Sequence, residues 1–249
     1  MKNTFFVSML LATGIMLTSC DNMTISNDDS ATKINGNGTV QSQTRPVPSF
    51  NQIAIEGVFN VILSENEQES VKVETDENIQ PLIITSVENN TLSVKMRDSA
   101  SIGKVKKINI YISVNHLSKL SITGVGKLAC QNKLMVDKLD LDFSGVGLTE
   151  LKLDGNQLNV KSEIVGALVL EGNVREVKIN HSGLGLIQAF ELKTEKLSLD
   201  ADGIGAAEVY ATKELNVNAK GVGGVKYRGN PEKTNVKNEG IGKVEREDI

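Results

Sequence analysis

Few residues in this chain could do chemistry, and their spacing limits what that chemistry could be. Asp140 and Asp142, and again Asp200 and Asp202, are carboxylate pairs two residues apart. On an extended strand that spacing puts both members of a pair on one face. Two carboxylates with a basic group nearby are what hydrolysis or elimination at a polysaccharide would need. The segments about twenty residues away offer Asn159, Lys161 and Glu163, or Asn216, Asn218 and Lys220. Acids facing Lys and Asn are the pattern of a solvated, mixed-charge surface. No catalytic residue is assigned, and the chain is not expected to be an enzyme. His116 and His181 are the only histidines, and neither a Cys/His zinc spacing nor an Asp-rich calcium loop occurs. No metal site is expected, and His181 reads as a partly buried, hydrogen-bonded imidazole beside Ser162 and Ala201. Trp is absent, and Tyr111, Tyr210, Tyr227 and Phe190 are scattered, so no aromatic platform for sugars stands out.

Glycine is the residue whose spacing is systematic. Gly124-Val125-Gly126, Gly145-Val146-Gly147, Gly183-Leu184-Gly185, Gly203-Ile204-Gly205, Gly221-Val222-Gly223 and Gly240-Ile241-Gly242 are copies of one phrase, and Ile164-Val165-Gly166 is a worn seventh. Their central residues lie 21, 19, 19, 20, 18 and 19 apart. No copy completes Gly-x-Gly-x-x-Gly between a strand and a helix, so no dinucleotide or other cofactor is expected. A period near twenty points instead to a solenoid or a stack of repeated hairpins.

The residues around each phrase support this. Five before each centre stand Leu120, Leu141, Val160, Ile179, Leu199, Val217 and Val236. Seven before, from the second copy on, stand Leu139, Leu158, Val177, Leu197, Leu215 and Thr234. Three after stand Leu128, Thr149, Leu168, Ile187, Ala207, Val225 and Val244, and polar residues fall between these columns. Period-2 alternation of this kind makes each repeat a strand with one buried face. The glycines are expected to form corners at which the buried parity shifts by one. The aliphatic residue between them is expected to point inward and plug the corner. The chain is therefore expected to be all-β. Consistent columns favour a parallel β-helix of about twenty-residue rungs, while an antiparallel meander or sandwich stays open as the alternative.

The rest of the chain divides around this array. Residues 1–19 carry Lys2 and a short apolar run from Phe5 to Leu17, too short for a stable span and suited to a signal peptide. Leu17-Thr18-Ser19-Cys20 resembles the lipobox of bacterial lipoproteins, which implies cleavage before Cys20 and its acylation. Residues 20–45 are Asn-, Asp-, Ser- and Thr-rich and are expected to be a flexible tether. Asp21, Asp28 and Asp29 leave the direction the anchored protein faces open. Residues 46–119 read as an irregular β region capping the regular array of 120–249. Within that cap, Ile53, Ile55, Gly57, Val58, Val61 and Leu63 reproduce the repeat offsets, with Phe59 at the second glycine's place. Asn89-Asn90 between alternating runs marks a hairpin. With Cys20 acylated, Cys130 has no partner for a disulfide within the chain and falls in an inward column as core. A net charge of −4 without a basic patch makes nucleic acid and anionic headgroups poor partners.

An acylated N-terminus, the opening Phe50-x-x-Ile53 … Gly57 … Val61-x-Leu63, and serial Gly-x-Gly rungs ending in Tyr227-x-Gly229-x-Pro231 resemble the head GIN domain family, described as putative auto-transporter adhesins. The resemblance covers about residues 47–246. It implies a right-handed β-helix lacking the catalytic residues of pectin-lyase folds, and a role in adhesion at a bacterial envelope. The expected partners are a membrane through the N-terminal lipid and a glycan, matrix or envelope-protein ligand. An outer-membrane location fits that set. The family's usual Ser-Gly-Ser-Gly corner is replaced here by Val, Ile or Leu between the glycines.

Overall fold

A strand buries one face only when neighbours pair with it, so the repeat specifies which residues lie side by side. The computed structural model describes residues 33–98 and 100–248, which form an all-β, mostly parallel sheet. The signal segment, Cys20 and the first part of the expected tether lie outside the described residues.

The strands in chain order are β1 Val40–Arg45, β2 Gln52–Glu65, β3 Ser70–Asp76, β4 Ile83–Glu88, β5 Thr91–Met96, β6 Ile108–Val114, β7 Lys119–Cys130 and β8 Leu134–His181. They continue as β9 Leu184–Gln188, β10 Leu192–Lys193, β11 Lys196–Ala201, β12 Ile204–Tyr210, β13 Glu214–Ala219, β14 Val222–Arg228, β15 Lys233–Asn238 and β16 Val244–Arg246. The glycine phrases pair in parallel and in register. Gly57, Val58 and Phe59 lie beside Gly124, Val125 and Gly126, which lie beside Gly145, Val146 and Gly147. Further along, Val165 pairs with Leu184, Leu184 with Ile204, Ile204 with Val222, and Val222 with Ile241. A second set of strands stacks the same way, with Ile179, Leu199, Val217 and Val236 in one row. The repeats are thus parallel rungs and not an antiparallel meander.

The inward columns read from the sequence are the core. Leu120, Leu141, Val160, Ile179, Leu199 and Val217 are buried, as are Leu128, Leu168, Ile187, Ala207 and Val225. The last rung departs, because among the described residues β15 pairs with β13 alone: Val236 is 40% exposed and all of β15 faces solvent.

The expectation for the residues between the glycines is overturned. Val125, Val146, Val165, Leu184, Ile204 and Val222 are 45–54% exposed, and Ile241 is 74% exposed. The two inward columns on either side of each phrase are eight residues apart, an even interval. Alternation therefore runs through the phrase without a shift, which sends the central residue outward and the glycines inward. Glycine is needed there for a different reason. Gly145 has φ +139°, and a Cβ on it would overlap the carbonyl oxygen of Gly124 in the previous rung. Gly147 stands in the same relation to Gly126, and Gly166 to Gly147. Two glycine files thus allow successive backbones to stack where no side chain fits.

The N-terminal region closes one side of the array. β2 is a full rung pairing with β7, and its other edge is covered by β5 and β6 in parallel. β4 and β5 form the expected hairpin, with Asn89 at φ +48° and Asn90 at φ +61°. Both positive values suit a two-residue type I′ turn. The segment Val40–Arg45, expected to be tether, is instead β1, antiparallel to β3. Its sequence shows no alternation because both of its faces are largely open to solvent. Backbone pairing holds it, together with Gln80, which donates to the carbonyls of Gln41 and Val73 and accepts from Arg45.

Candidate functional site

Each glycine phrase aims one aliphatic side chain outward, and parallel register aligns these side chains into a file. The file runs Val58, Val125, Val146, Val165, Leu184, Ile204, Val222, Ile241 without a polar interruption. Seven strand spacings of about 4.8 Å make it about 34 Å long. Leu186, two residues beyond Leu184 on the same face, is 45% exposed. Among the described residues eleven large hydrophobic side chains are exposed, and nine of them are these. The remaining two, Met135 and Val236, lie elsewhere, so apolar exposure is concentrated on this one face.

The margins of the file differ in character. Two residues before each centre stand Glu56, Thr123, Ser144, Glu163, Ser182, Asp202, Lys220 and Glu239, and in the later rungs a bend at Gly183, Gly203, Gly221 or Gly240 separates this column from the central residue of the file. Two residues after, in the middle rungs, stand Leu148, Ala167, Leu186, Ala206 and Gly224, with Lys127 and Lys243 toward the ends. Three of the charged margin residues are ion-paired: Lys127 with Glu150 at 2.6 Å, Glu163 with Lys161 at 2.9 Å and Glu239 with Lys237 at 2.9 Å. Glu163 holds the Lys161 ammonium above the usual lysine range, and Lys237 holds the Glu239 carboxyl below its usual one. These pairs are solvent-exposed, so they keep the margin soluble and add little to stability.

The carboxylate pairs singled out by spacing serve the stacking. Asp140 accepts from the Asn159 amide at 2.7 Å and Asp200 from the Asn218 amide at 2.9 Å, each one rung on. Asp142 lies on the same face as Asp140, and Asp202 falls in the margin of the apolar file. Asp137 with Asn156 and Asp154 with Asn173 repeat the acid–amide step on another side of the rungs. Among the described residues no three His, Cys, Asp or Glu side chains converge as metal ligands.

His181 is buried beside Ala201, with Nδ1 3.3 Å from Ser162 Oγ. Its Nε2 is buried without a partner, next to a hollow of about 30 Å³ that Ala201, Ala207 and Ala219 also line. Burial pushes its pKa below 6.5, and the Ser162 contact opposes that only in part. His116, in contrast, is an exposed turn residue at φ +60°. Burial pushes the Cys130 thiol up to about 11, consistent with its place against the core. The aromatic rings are occupied: Lys72 covers Tyr111 and Lys193 covers Tyr210, both at 4.2 Å, and Arg228 covers Phe190 at 3.9 Å. Tyr227 packs against the core.

The sequence reading missed the apolar file as a surface. Its signal was the even interval between the inward columns, which assigns the intervening aliphatic residue to the outside.

Comparison with known proteins gives a consistent picture. The family described as "Putative auto-transporter adhesin, head GIN domain" matches residues 49–231. A crystal structure of a putative adhesin from Bacteroides fragilis is similar to this chain, with 28% identity and a TM-score of 0.84 over 86% of this chain and 100% of that one. A putative lipid binding protein from Parabacteroides distasonis shares the fold at 20% identity and a TM-score of 0.67, over 86% of this chain and 99% of that one. A putative adhesin from Parabacteroides merdae does so at 19% identity and a TM-score of 0.61, with the same coverage. No curated protein matches the chain.

Proposed function

The chain belongs to the head GIN domain family of putative auto-transporter adhesins, and from that premise we propose that it is a non-catalytic adhesion module of a bacterial cell envelope. In this reading a lipid on Cys20 holds it to the outer membrane, and the outer face of the glycine-phrase strands binds its partner. The observation that carries the proposal is the apolar file: among the described residues, nine of eleven exposed large hydrophobic side chains belong to it. Contiguous apolar exposure of that extent on a soluble surface marks an interaction site. Each half-exposed aliphatic would contribute about 1 kcal/mol on being covered. Covered rings and an aliphatic file favour a protein partner over a glycan, because sugar recognition relies on free aromatic faces.

The finer architecture belongs with this proposal. From β7 onward, parallel partners lying 18 to 21 residues on support reading the repeats as successive turns of a β-helix. Right-handed crossover is the strong preference for parallel connections.

The test is a triple variant, Val146→Ser, Leu184→Ser and Ile204→Ser, in the full chain expressed in its envelope. Attachment of those cells to immobilised matrix proteins and to neighbouring cells is expected to fall at least tenfold, with the amount of anchored protein unchanged. Undiminished attachment would remove the apolar file as the binding surface. For the anchor, Cys20→Ser is expected to move the protein from the detergent phase to the aqueous phase on phase separation.

A further inference from the structure

We infer that the cleft bounded by the later part of β8, by β10 and by the end of β12 is a second binding site, and that it takes a carboxylate-bearing sugar of the uronic acid class. The cleft shares no residue with the apolar file. Its ligand is therefore a different molecule from the partner proposed for the file, and neither reading depends on the other.

The cleft follows from a break in the ladder. β10 is two residues long and pairs, among the described residues, with β8 alone. The next rung ends its strand at Tyr210, and Thr212 then reaches back, its N–H and its hydroxyl both donating to the Thr194 carbonyl at 3.1 Å. The space left between these segments is about 360 Å³. That is the small end of the range for ligand sites, about 300–1,000 Å³, and suits one sugar ring better than a run of them. Among the described residues Val174, 1% exposed, is the one aliphatic side chain in its lining. An apolar ligand would find little there to cover it.

Charge selects an anion. Glu195 is held by Lys213 at 2.9 Å and Glu191 by Lys193 at 3.8 Å. Glu176 is left to serve two cations, Lys196 at 3.5 Å and Arg175 at 3.7 Å. Four cations against three carboxylates leave one positive charge over, and Arg175 is the cation on the longer of the shared contacts. Its guanidinium makes no hydrogen bond to another described residue, and its paired N–H groups suit a planar carboxylate. Lys193 donates to the Phe190 carbonyl at 2.9 Å, which leaves two of its N–H groups to a ligand. The cleft's own carboxylate does not compete: the Lys213 hydrogen bond above all, with Arg175 and Lys196 adding, holds the Glu195 carboxyl below its usual range. A doubly charged phosphate would exceed the single surplus cation.

The neutral groups select hydroxyls. The Asn173 side-chain amide donates to Asp154 at 3.0 Å, which leaves its Oδ1 to accept. The Tyr210 hydroxyl has no hydrogen-bond partner among the described residues, so it can donate or accept. Thr212 spends its proton on Thr194 and keeps its lone pairs. A ligand with one carboxylate and several hydroxyls matches this set group for group. Ring stacking is not needed for it: Lys193 already covers a face of Tyr210 at 4.2 Å, so recognition runs through charge and hydrogen bonds.

The test titrates the full chain in detergent with D-galacturonate, D-galactose and galactose 6-sulfate, followed by saturation-transfer NMR. Galacturonate is expected to bind at least tenfold more tightly than galactose. Arg175→Gln should weaken galacturonate at least tenfold and leave galactose as it was. Tyr210→Phe keeps the ring under Lys193 and should weaken both sugars severalfold. Lys138→Gln removes an exposed cation outside the cleft and serves as the control for net charge. Absence of galacturonate binding, equal binding of galactose, or an equal loss in Lys138→Gln overturns the inference. Equal binding of the sulfate overturns carboxylate as the group recognised. Cell attachment does not enter this titration, so its failure and a failure of the adhesion reading are distinguished.

Discussion

At the scale of single residues, the glycine phrase has two jobs that substitution separates. Gly145→Ala puts a Cβ into the Gly124 carbonyl at a φ of +139°, and is expected to cost about 2–4 kcal/mol through strain and lost stacking. Val146→Ser changes an exposed side chain and is expected to stay within about 0.5 kcal/mol. Thermal denaturation of the two variants checks this, and equal losses would refute the outward placement of Val146. His181 gives a pH prediction. Its pKa in the fold lies below 6.5 because burial disfavours the imidazolium. The unfolded chain therefore binds the proton more tightly, and stability is full above 6.5 and declines as pH falls through that value toward the folded pKa. Melting temperature is expected to drop between about pH 7 and about pH 5, and His181→Leu should flatten that drop. An unchanged slope in the variant would exclude His181 as its source. The burial of His181 beside Ser162 and Ala201 was legible from its column. The exposure of Val146 was not, because valine between glycines has the composition of a core residue and only the even count reveals its side.

Among the elements, legibility followed burial. β7, β11 and β13 were readable because one face of each is core, and the β4–β5 hairpin because Asn89 and Asn90 tolerate the positive φ that its turn demands. β1 was not, because a strand with two wet faces leaves no period-2 trace; only its backbone pairs and the Gln80 side chain hold it. Gln80 is 1% exposed and makes four hydrogen bonds through its side chain and carbonyl. Gln80→Ala leaves the buried Val73 carbonyl short of that donor and frees Arg45, at a cost of about 1–3 kcal/mol. The effect should be local: amides of β1 and β3 are expected to exchange faster with solvent, while those of β8 keep their protection. Loss of protection across the whole array would mean that Gln80 supports more than the edge it touches.

Across the whole molecule, a stack of rungs has no long-range core to average over, so its stability is a sum of rung and neighbour terms. Those terms differ along the chain. The early rungs bury Phe59, Phe143, Leu120 and Leu141, and β2 is covered by β5 and β6 on its outer edge. Later rungs bury Ala207, Ala211 and Ala219 at equivalent depth, with the hollow by His181 among them. Among the described residues the final strands β15 and β16 pair on one side alone, and Val236 is left 40% exposed. Less apolar area is withdrawn from water per rung toward the C-terminal side, and less free energy opposes opening there. Amide exchange is therefore expected to be graded, with β15 and β16 first, β13 and β14 next, and β2, β7 and the first half of β8 last. Peptide-resolved deuterium uptake measures this directly. A single uniform exchange rate over all rungs would contradict the additive picture, because it would require coupling that parallel nearest-neighbour stacking does not supply.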